Sequence, residues 1–167
     1  MRDELTEVDI KKMREEIDYR ENVLMPQIIA EVQRARGFGD LSENYEYKAA
    51  KDEQRRNRSR IRYLKNMVES AVVIEDKSAD NEVGLFDRVK LYLEDDREEM
   101  EITLVTTLRQ NPLENRISKE APLGKAILGK KAGDKIHVTV SETYGYDAVI
   151  RSITKCEDDG SAPILEY

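Results

Sequence analysis

Tryptophan is missing from this chain, and three other residue types nearly are: there are two Phe, one His (His137) and one Cys (Cys156). A single cysteine excludes an internal disulfide, and one Cys with one His cannot supply a Cys/His zinc set. An unpaired Cys fits a reducing compartment, and Cys156 reads as a small half-buried residue. Aromatics make up only 6% of 167 residues while charged residues reach 38%. That is lean for one large core and suits a solvated helical rod joined to a small globular unit. No apolar run is long enough to span a bilayer. The stretch Met1–Ile10 holds acids and no apolar run, so no signal peptide is expected. Nor is there a Ser/His/Asp or Cys/His set or a phosphate-cradling glycine loop. These absences point to a soluble, cytoplasmic protein with no membrane partner.

The charge that is present is segregated. The net charge of −7 argues against a uniformly nucleic-acid-coating surface. Yet Lys48 to Lys65 holds Lys48, Lys51, Arg55, Arg56, Arg58, Arg60, Arg62 and Lys65 against only Asp52 and Glu53. That segment is about +6, and the stretch from Glu75 to Glu101 is about −7. Between Asp40 and Glu46 there are three acids and no base. The order is an acidic tip, a basic shaft and an acidic body. A basic helix face is commonly just solvated; here it is also suited to tracking RNA phosphates.

Apolar residues Ile10, Met13, Ile17, Leu24, Ile28, Val32 and Ala35 recur at three- and four-residue steps, with a lapse at Arg20/Glu21. The pattern resumes as Tyr47, Ala50, Gln54, Asn57, Ile61, Leu64, Val68 and Ala71. This is the signature of paired helices. Gln54 and Asn57 place polar groups in the seam, which costs stability and fixes register. Pro26 removes a backbone donor and is expected to kink the first helix. Gly37 and Gly39 are expected to end it in the left-handed conformation. Two long helices joined by so few residues run antiparallel. At 1.5 Å per residue they make a rod of roughly 45–50 Å.

The hairpin is assigned to residues 1–75, with its acidic tip at 37–46. A polar linker follows at 76–84 and a second domain at 85–167. In that domain, strands are expected at 86–93 and 100–107, joined by a hairpin loop at 94–98, and again at 136–140 and 147–153. Pro122 opens a short helix that Gly129 stops. The fold class is α+β: a helical hairpin plus an antiparallel β-domain carrying one short helix. His137 falls on the face opposite Ile136, Val138 and Val140 and points to solvent. Tyr144 and Tyr146 flank Gly145 in the last turn and read as packing residues.

The tip Asp40-x-x-Glu43 supports two readings. One is a capping box, with Asp40 capping the second helix and Glu43 reaching back to its N–H. The other is half of a hard-metal site. Mg²⁺ takes oxygen ligands, and often one or two protein carboxylates alongside substrate phosphates. Carboxylates on an exposed turn have no pocket of their own, so the remaining ligands would come from a partner.

The run Gly39-Asp40-Leu41-Ser42-Glu43-Asn44-Tyr45-Glu46-Tyr47-Lys48-Ala49-Ala50-Lys51 resembles the signature of the bacterial Gre transcript cleavage factors, closest to the GreA branch. The stretch Ala121-Pro122-Leu123-Gly124-Lys125-Ala126-Ile127-Leu128-Gly129-Lys130-Lys131-Ala132-Gly133-Asp134 is similar to their second signature. The resemblance covers nearly the whole chain. It implies a coiled coil that enters the secondary channel of bacterial RNA polymerase and an FKBP-like domain that docks outside. It further implies stimulated cleavage of the 3′ end of backtracked nascent RNA. Asp40 and Glu43 match the family's catalytic acids, which share Mg²⁺ with the polymerase. Arg36, Asn44, Tyr45, Lys48, Lys51 and Arg55 would contact RNA or polymerase.

On this reading the chain is a monomeric accessory factor, and the nuclease is the polymerase. Tyr45 and Ala121 depart from the family pattern, where alanine and serine are usual, and the shaft is more basic than the GreA branch implies. Two other functions compete. One is a channel-binding regulator without cleavage, against which the Asp40/Glu43 spacing argues. The other is a prolyl isomerase, against which the body's single Phe argues, because it leaves little to line an aromatic pocket.

Overall fold

A computed structural model describes residues 2–39 and 44–166. The chain divides into two compact units. Ile10–Ala71 form one, and the residues up to Asp9 together with Val72–Glu166 form the other.

The helical unit is an antiparallel hairpin. Its first arm is α1 (Glu7–Tyr19), a single π-helical segment (Arg20–Leu24) and α2 (Met25–Arg36); its second arm is α3 (Tyr45–Ser70). The direction follows from the pairing. Ala35 and Arg34 meet Asn44 and Glu46, whereas Arg20 and Glu16 meet Asn57 and Arg60. The apolar stripes face the seam, where Ile28, Val32, Ala35, Ala50 and Leu64 are buried. A fully buried aliphatic side chain of this kind contributes about 1.5–3 kcal/mol.

The lapse in the first stripe has a structural cause. Pro26 stands in the first turn of α2 and has no N–H to give. Just before it the Met25 N–H bonds the Arg20 carbonyl, five residues back, so the helix widens by one residue at Arg20–Leu24 instead of breaking. The seam there is polar. Arg20 Nη1 donates to Asn57 Oδ1 at 2.9 Å, and Asn57 Nδ2 donates to the Arg20 carbonyl at 3.3 Å. One turn away, Glu16 accepts from Arg60 Nε at 2.9 Å and from Arg20 Nε at 2.7 Å. Arg60 therefore belongs to the seam, at 8% exposure, and not to the solvated basic face.

The second unit is built on a five-stranded sheet of β3 (Arg88–Leu93), β4 (Glu98–Val105), β5 (Arg116–Ser118), β6 (Lys135–Thr139) and β7 (Gly145–Thr154). The spatial order is β5-β4-β3-β7-β6. The expected all-antiparallel sheet is corrected to a mixed one, because β5 runs parallel to β4. Between them the chain makes two 3₁₀ turns, Thr107–Arg109 and Pro112–Glu114, which bring it back in the same direction. A three-residue strand carries too little alternation to be read from sequence. Helix α4 (Pro122–Ile127) closes one face with Leu123 and Ile127 over Val89, Leu91, Ile102, Leu104, Ile136, Val138, Ala148 and Ile150. Gly124 is required there: a Cβ would stand 2.0 Å from the Ser118 carbonyl oxygen.

The outward placement of His137 holds; its Nδ1 lies 2.7 Å from Asp147 Oδ1. Val140, expected inside, is exposed because β6 has ended at Thr139. Tyr144 is also exposed, while Tyr146 packs against the core.

Two of the sequence-based boundaries differ from the units. The N-terminal residues pair with the body, where β1 (Glu4–Leu5) lies parallel to β2 (Val72–Val73). Asp9 ion-pairs with Arg109, both fully buried. At the far end of the expected linker, Val83 is fully buried and exchanges backbone bonds with Lys130 and Gly129. The Gly84 N–H is taken by the buried Asp87 carboxylate at 2.7 Å.

Candidate functional site at the hairpin end

Asp40 and Glu43 lie outside the described residues, so the site is built from what flanks them. On one side α2 ends at Arg36. Its terminal carbonyls are met by tight turns, Gly37 N–H to Arg34 and Phe38 N–H to Ala35, both at 3.2 Å. Gly37 keeps right-handed helical dihedrals (φ −71°), against expectation, and only Gly39 takes a positive φ, +112°. The tight turns already satisfy the carbonyls, so one glycine suffices.

On the other side α3 begins at Tyr45, and its cap is Asn44, whose Oδ1 accepts from the Tyr47 N–H at 3.0 Å. This corrects the capping-box expectation for Asp40 and Glu43: the start of the second helix is four residues later than a cap at Asp40 requires. The sequence signal was ambiguous because Asp and Asn are equally good caps.

The remaining candidates fall along one end of the hairpin. Arg36 is exposed, with its guanidinium 5.8 Å from the Tyr47 ring centroid. Its hydrogen bond, with a smaller contribution from Lys51, outweighs desolvation and holds the Tyr47 phenol below its ordinary range. Tyr45 is 80% exposed, and Lys48 Nζ lies 5.7 Å from its ring centroid. Lys51 Nζ donates to Gln54 Oε1 at 3.1 Å, and Arg55 Nη2 pairs with Asp52 at 2.7 Å. Arg55 sits about 15 Å along α3 from Tyr45, so it belongs to the shaft and not to the tip.

Sequence reasoning passed over Phe38, Arg34 and Glu46. Phe38 is 61% exposed under the Arg34 guanidinium, 5.0 Å from its ring centroid, and Arg34 also reaches Glu46 at 3.6 Å. An aromatic residue between two turn glycines was the available signal.

The end of the hairpin thus presents two exposed rings, each with a cation against it, and further cations on both helices. The rings can stack on nucleobases, and the cations can meet phosphates. Among the described residues no group of three or more His, Cys, Asp or Glu is placed to hold a metal. The metal ligands expected from sequence, Asp40 and Glu43, lie outside the described residues. Two carboxylates fit the donor chemistry of Mg²⁺ but fill only part of its shell. In the body, a cavity of about 380 Å³ has Phe86 as its one aromatic wall beside Ile74, Leu85, Glu75, Asp76 and Asp158. Among the described residues no helix is long and apolar enough to cross a membrane.

Comparison with known proteins bears on both units. The N-terminal domain model of the GreA/GreB transcription elongation factors matches residues 4–73, and their C-terminal domain model matches residues 70–155. The chain is 42% identical over 137 residues to transcription elongation factor GreA of Thermoanaerobacter pseudethanolicus, covering 81% of this chain and 87% of that one. It is 34% identical over 143 residues to GreA of Bacillus subtilis, covering 86% and 89%. Among solved structures, GreA factor homolog 1 of Thermus thermophilus aligns with a TM-score of 0.42 at 22% identity, covering 93% of this chain and all of that one. A GreA/GreB factor of Nitrosomonas europaea aligns with a TM-score of 0.40 at 25% identity, covering 57% and 79%. With both of its units matched in order, and relatives above 30% identity over most of its length, the chain belongs to the GreA/GreB family of transcription elongation factors.

Proposed function

We propose that this protein enters the secondary channel of bacterial RNA polymerase and stimulates Mg²⁺-dependent cleavage of backtracked nascent RNA, so that arrested complexes resume. The observation that carries the reading is at the hairpin end. The acids Asp40 and Glu43 belong to the short connection between two antiparallel helices, and the capping duty that would otherwise occupy them is performed by Asn44.

A helical hairpin is narrow enough to enter a channel that excludes a globular domain. At its end, the carboxylates of Asp40 and Glu43 would complete the shell of a Mg²⁺ ion shared with the polymerase. That metal supplies an activated water and stabilises charge at the phosphorus. Arg36, Lys48 and Lys51 would draw in RNA phosphates, and Tyr45 would stack on a base of the extruded 3′ segment. The active site then belongs to the polymerase, and this chain completes it. The second unit would dock on the polymerase exterior, as family membership leads one to expect.

A stalled, backtracked elongation complex with Mg²⁺ tests this directly. Wild-type protein should shorten the RNA. The double variant Asp40→Ala/Glu43→Ala should lose at least about a hundredfold in rate, as expected when positioned groups are removed from a reacting centre. Equal cleavage by the variant would end the chelation reading. Inhibition of an active complex with no shortened RNA would instead assign the protein as a channel-binding regulator.

A further inference from the structure

We propose that Phe38 is a second base-stacking platform for the unpaired 3′ segment of the RNA, working beside Tyr45, an inference that rests on the cleavage reading above. The chain has two Phe. Phe86 is buried in the body at 8% exposure, whereas Phe38 is 61% exposed. A phenyl ring has no polar tip that gains from water, and a turn between two glycines has no need of an apolar side chain.

The ring is held in a defined place. The Arg34 guanidinium lies over it, 5.0 Å from its centroid. Arg34 uses its edge on carboxylates. Its Nε donates to Glu31 Oε2 at 2.9 Å, and its Nη2 reaches the other Glu31 oxygen and lies 3.6 Å from Glu46 Oε2 on α3. The flat face of the guanidinium is left for the ring. With carboxylates on its edge, Arg34 backs the ring and is not a cation offered to phosphates.

The backbone adds a second tether. A carbonyl oxygen has two lone pairs, and that of Ala35 accepts from the Phe38 N–H at 3.2 Å and from Asn44 Nδ2 at 2.6 Å. Phe38 and the residue before Tyr45 are therefore tied to one oxygen. Glu46, the residue after Tyr45, is tied to the arginine behind Phe38. Tyr45 is itself 80% exposed, with Lys48 against its ring. Two exposed rings are thus fixed at neighbouring points of one end. Every base has a π-face, so such rings hold unpaired nucleotides without reading their sequence. A ring already ordered loses little freedom on stacking.

The test uses the full chain with Phe38→Leu, which stays apolar but loses the flat ring, and with Phe38→Tyr, which keeps it. Each is assayed on a backtracked elongation complex with Mg²⁺ at varied protein concentration. One RNA is ordinary; in the other the unpaired 3′ nucleotides lack their bases. With wild type cleaving ordinary RNA, Phe38→Leu should lower the ratio of saturated rate to half-saturating concentration by about fivefold to a hundredfold, the scale of one base stack. Phe38→Tyr should stay within about twofold of wild type. On the baseless RNA, wild type and Phe38→Leu should agree within about twofold, because nothing remains to stack.

A Phe38→Leu protein within about twofold of wild type on ordinary RNA would overturn the proposal. So would equal losses in Phe38→Leu and Phe38→Tyr, which would make Phe38 a packing residue of the turn. A Phe38→Leu loss that persists on baseless RNA would place the ring against the polymerase and also overturn it. Each of these outcomes leaves the cleavage reading standing. A wild-type protein that binds polymerase and shortens no RNA would overturn that reading, and this proposal with it.

Discussion

At the scale of single residues, Ala121 carries a testable mismatch. It occupies the N-cap position of α4 with extended dihedrals (φ −66°, ψ 154°), and its side chain makes no capping bond. Ala121→Ser should supply the missing acceptor without moving the backbone and raise stability by about 1 kcal/mol. Equilibrium unfolding of the two proteins checks this; an unchanged midpoint would mean the cap is already met by solvent. The position was legible in the sequence because Pro122 marks the first helical turn. The role of Asn44 was only half legible. Its residue type announces a cap, but the second bond, to Ala35, joins positions nine apart through a turn whose geometry sequence does not specify.

At the scale of the element, the hairpin depends on its polar layer. Partial burial pushes the Glu16 carboxyl up, but hydrogen bonds and charges from Arg60 and Arg20 outweigh it and hold the group below the ordinary carboxylate range. A carboxyl depressed in the folded state contributes stability that is fully present above its unfolded pKa. That contribution is lost as pH falls through the folded value. Denaturation followed by helical signal should therefore show stability falling as pH drops through and below the ordinary carboxylate range. Glu16→Gln should flatten that part of the profile; an identical pH slope in the variant would remove Glu16 as its source. The apolar stripes were readable at heptad spacing, including the lapse at Arg20/Glu21. The π-helical turn was not, because Pro26 announces a disturbance without saying whether the helix kinks or widens; the burial of Arg60 was not, because it is set by Glu16 on the opposite arm, 44 residues away.

At the scale of the whole chain, the second unit is discontinuous: its residues up to Asp9 precede the helical unit Ile10–Ala71 and the remainder follows it. Thr6 and Asp9 form a reciprocal capping box at the start of α1, with Asp9 Oδ2 accepting from the Thr6 N–H at 3.0 Å and Thr6 Oγ1 accepting from the Asp9 N–H at 3.2 Å. Asp9 Oδ1 meanwhile meets Arg109, which also pairs with Asp158 and lies against the Phe86 ring. Removing one partner of a buried pair leaves a charge uncompensated. Asp9→Ala should therefore destabilise the second unit by about 3 kcal/mol, toward the low end for such pairs because Asp158 remains. A melting temperature matching wild type would show that Asp158 alone compensates Arg109.

The sequence by itself determined the paired helices, the segregation of charge, the alternating strands and the two signature runs, because each is written in spacings of a few residues that local geometry reads directly. Tertiary structure alone decided that Asn44 is the cap, that Arg60 faces the seam, that β5 joins the sheet in parallel, and that the N-terminal residues belong with the body. Apart from the Asn44 cap, whose bond from the Tyr47 N–H is local, each of these depends on a contact between distant positions, and its outcome is set by which groups find partners once the chain has closed on itself.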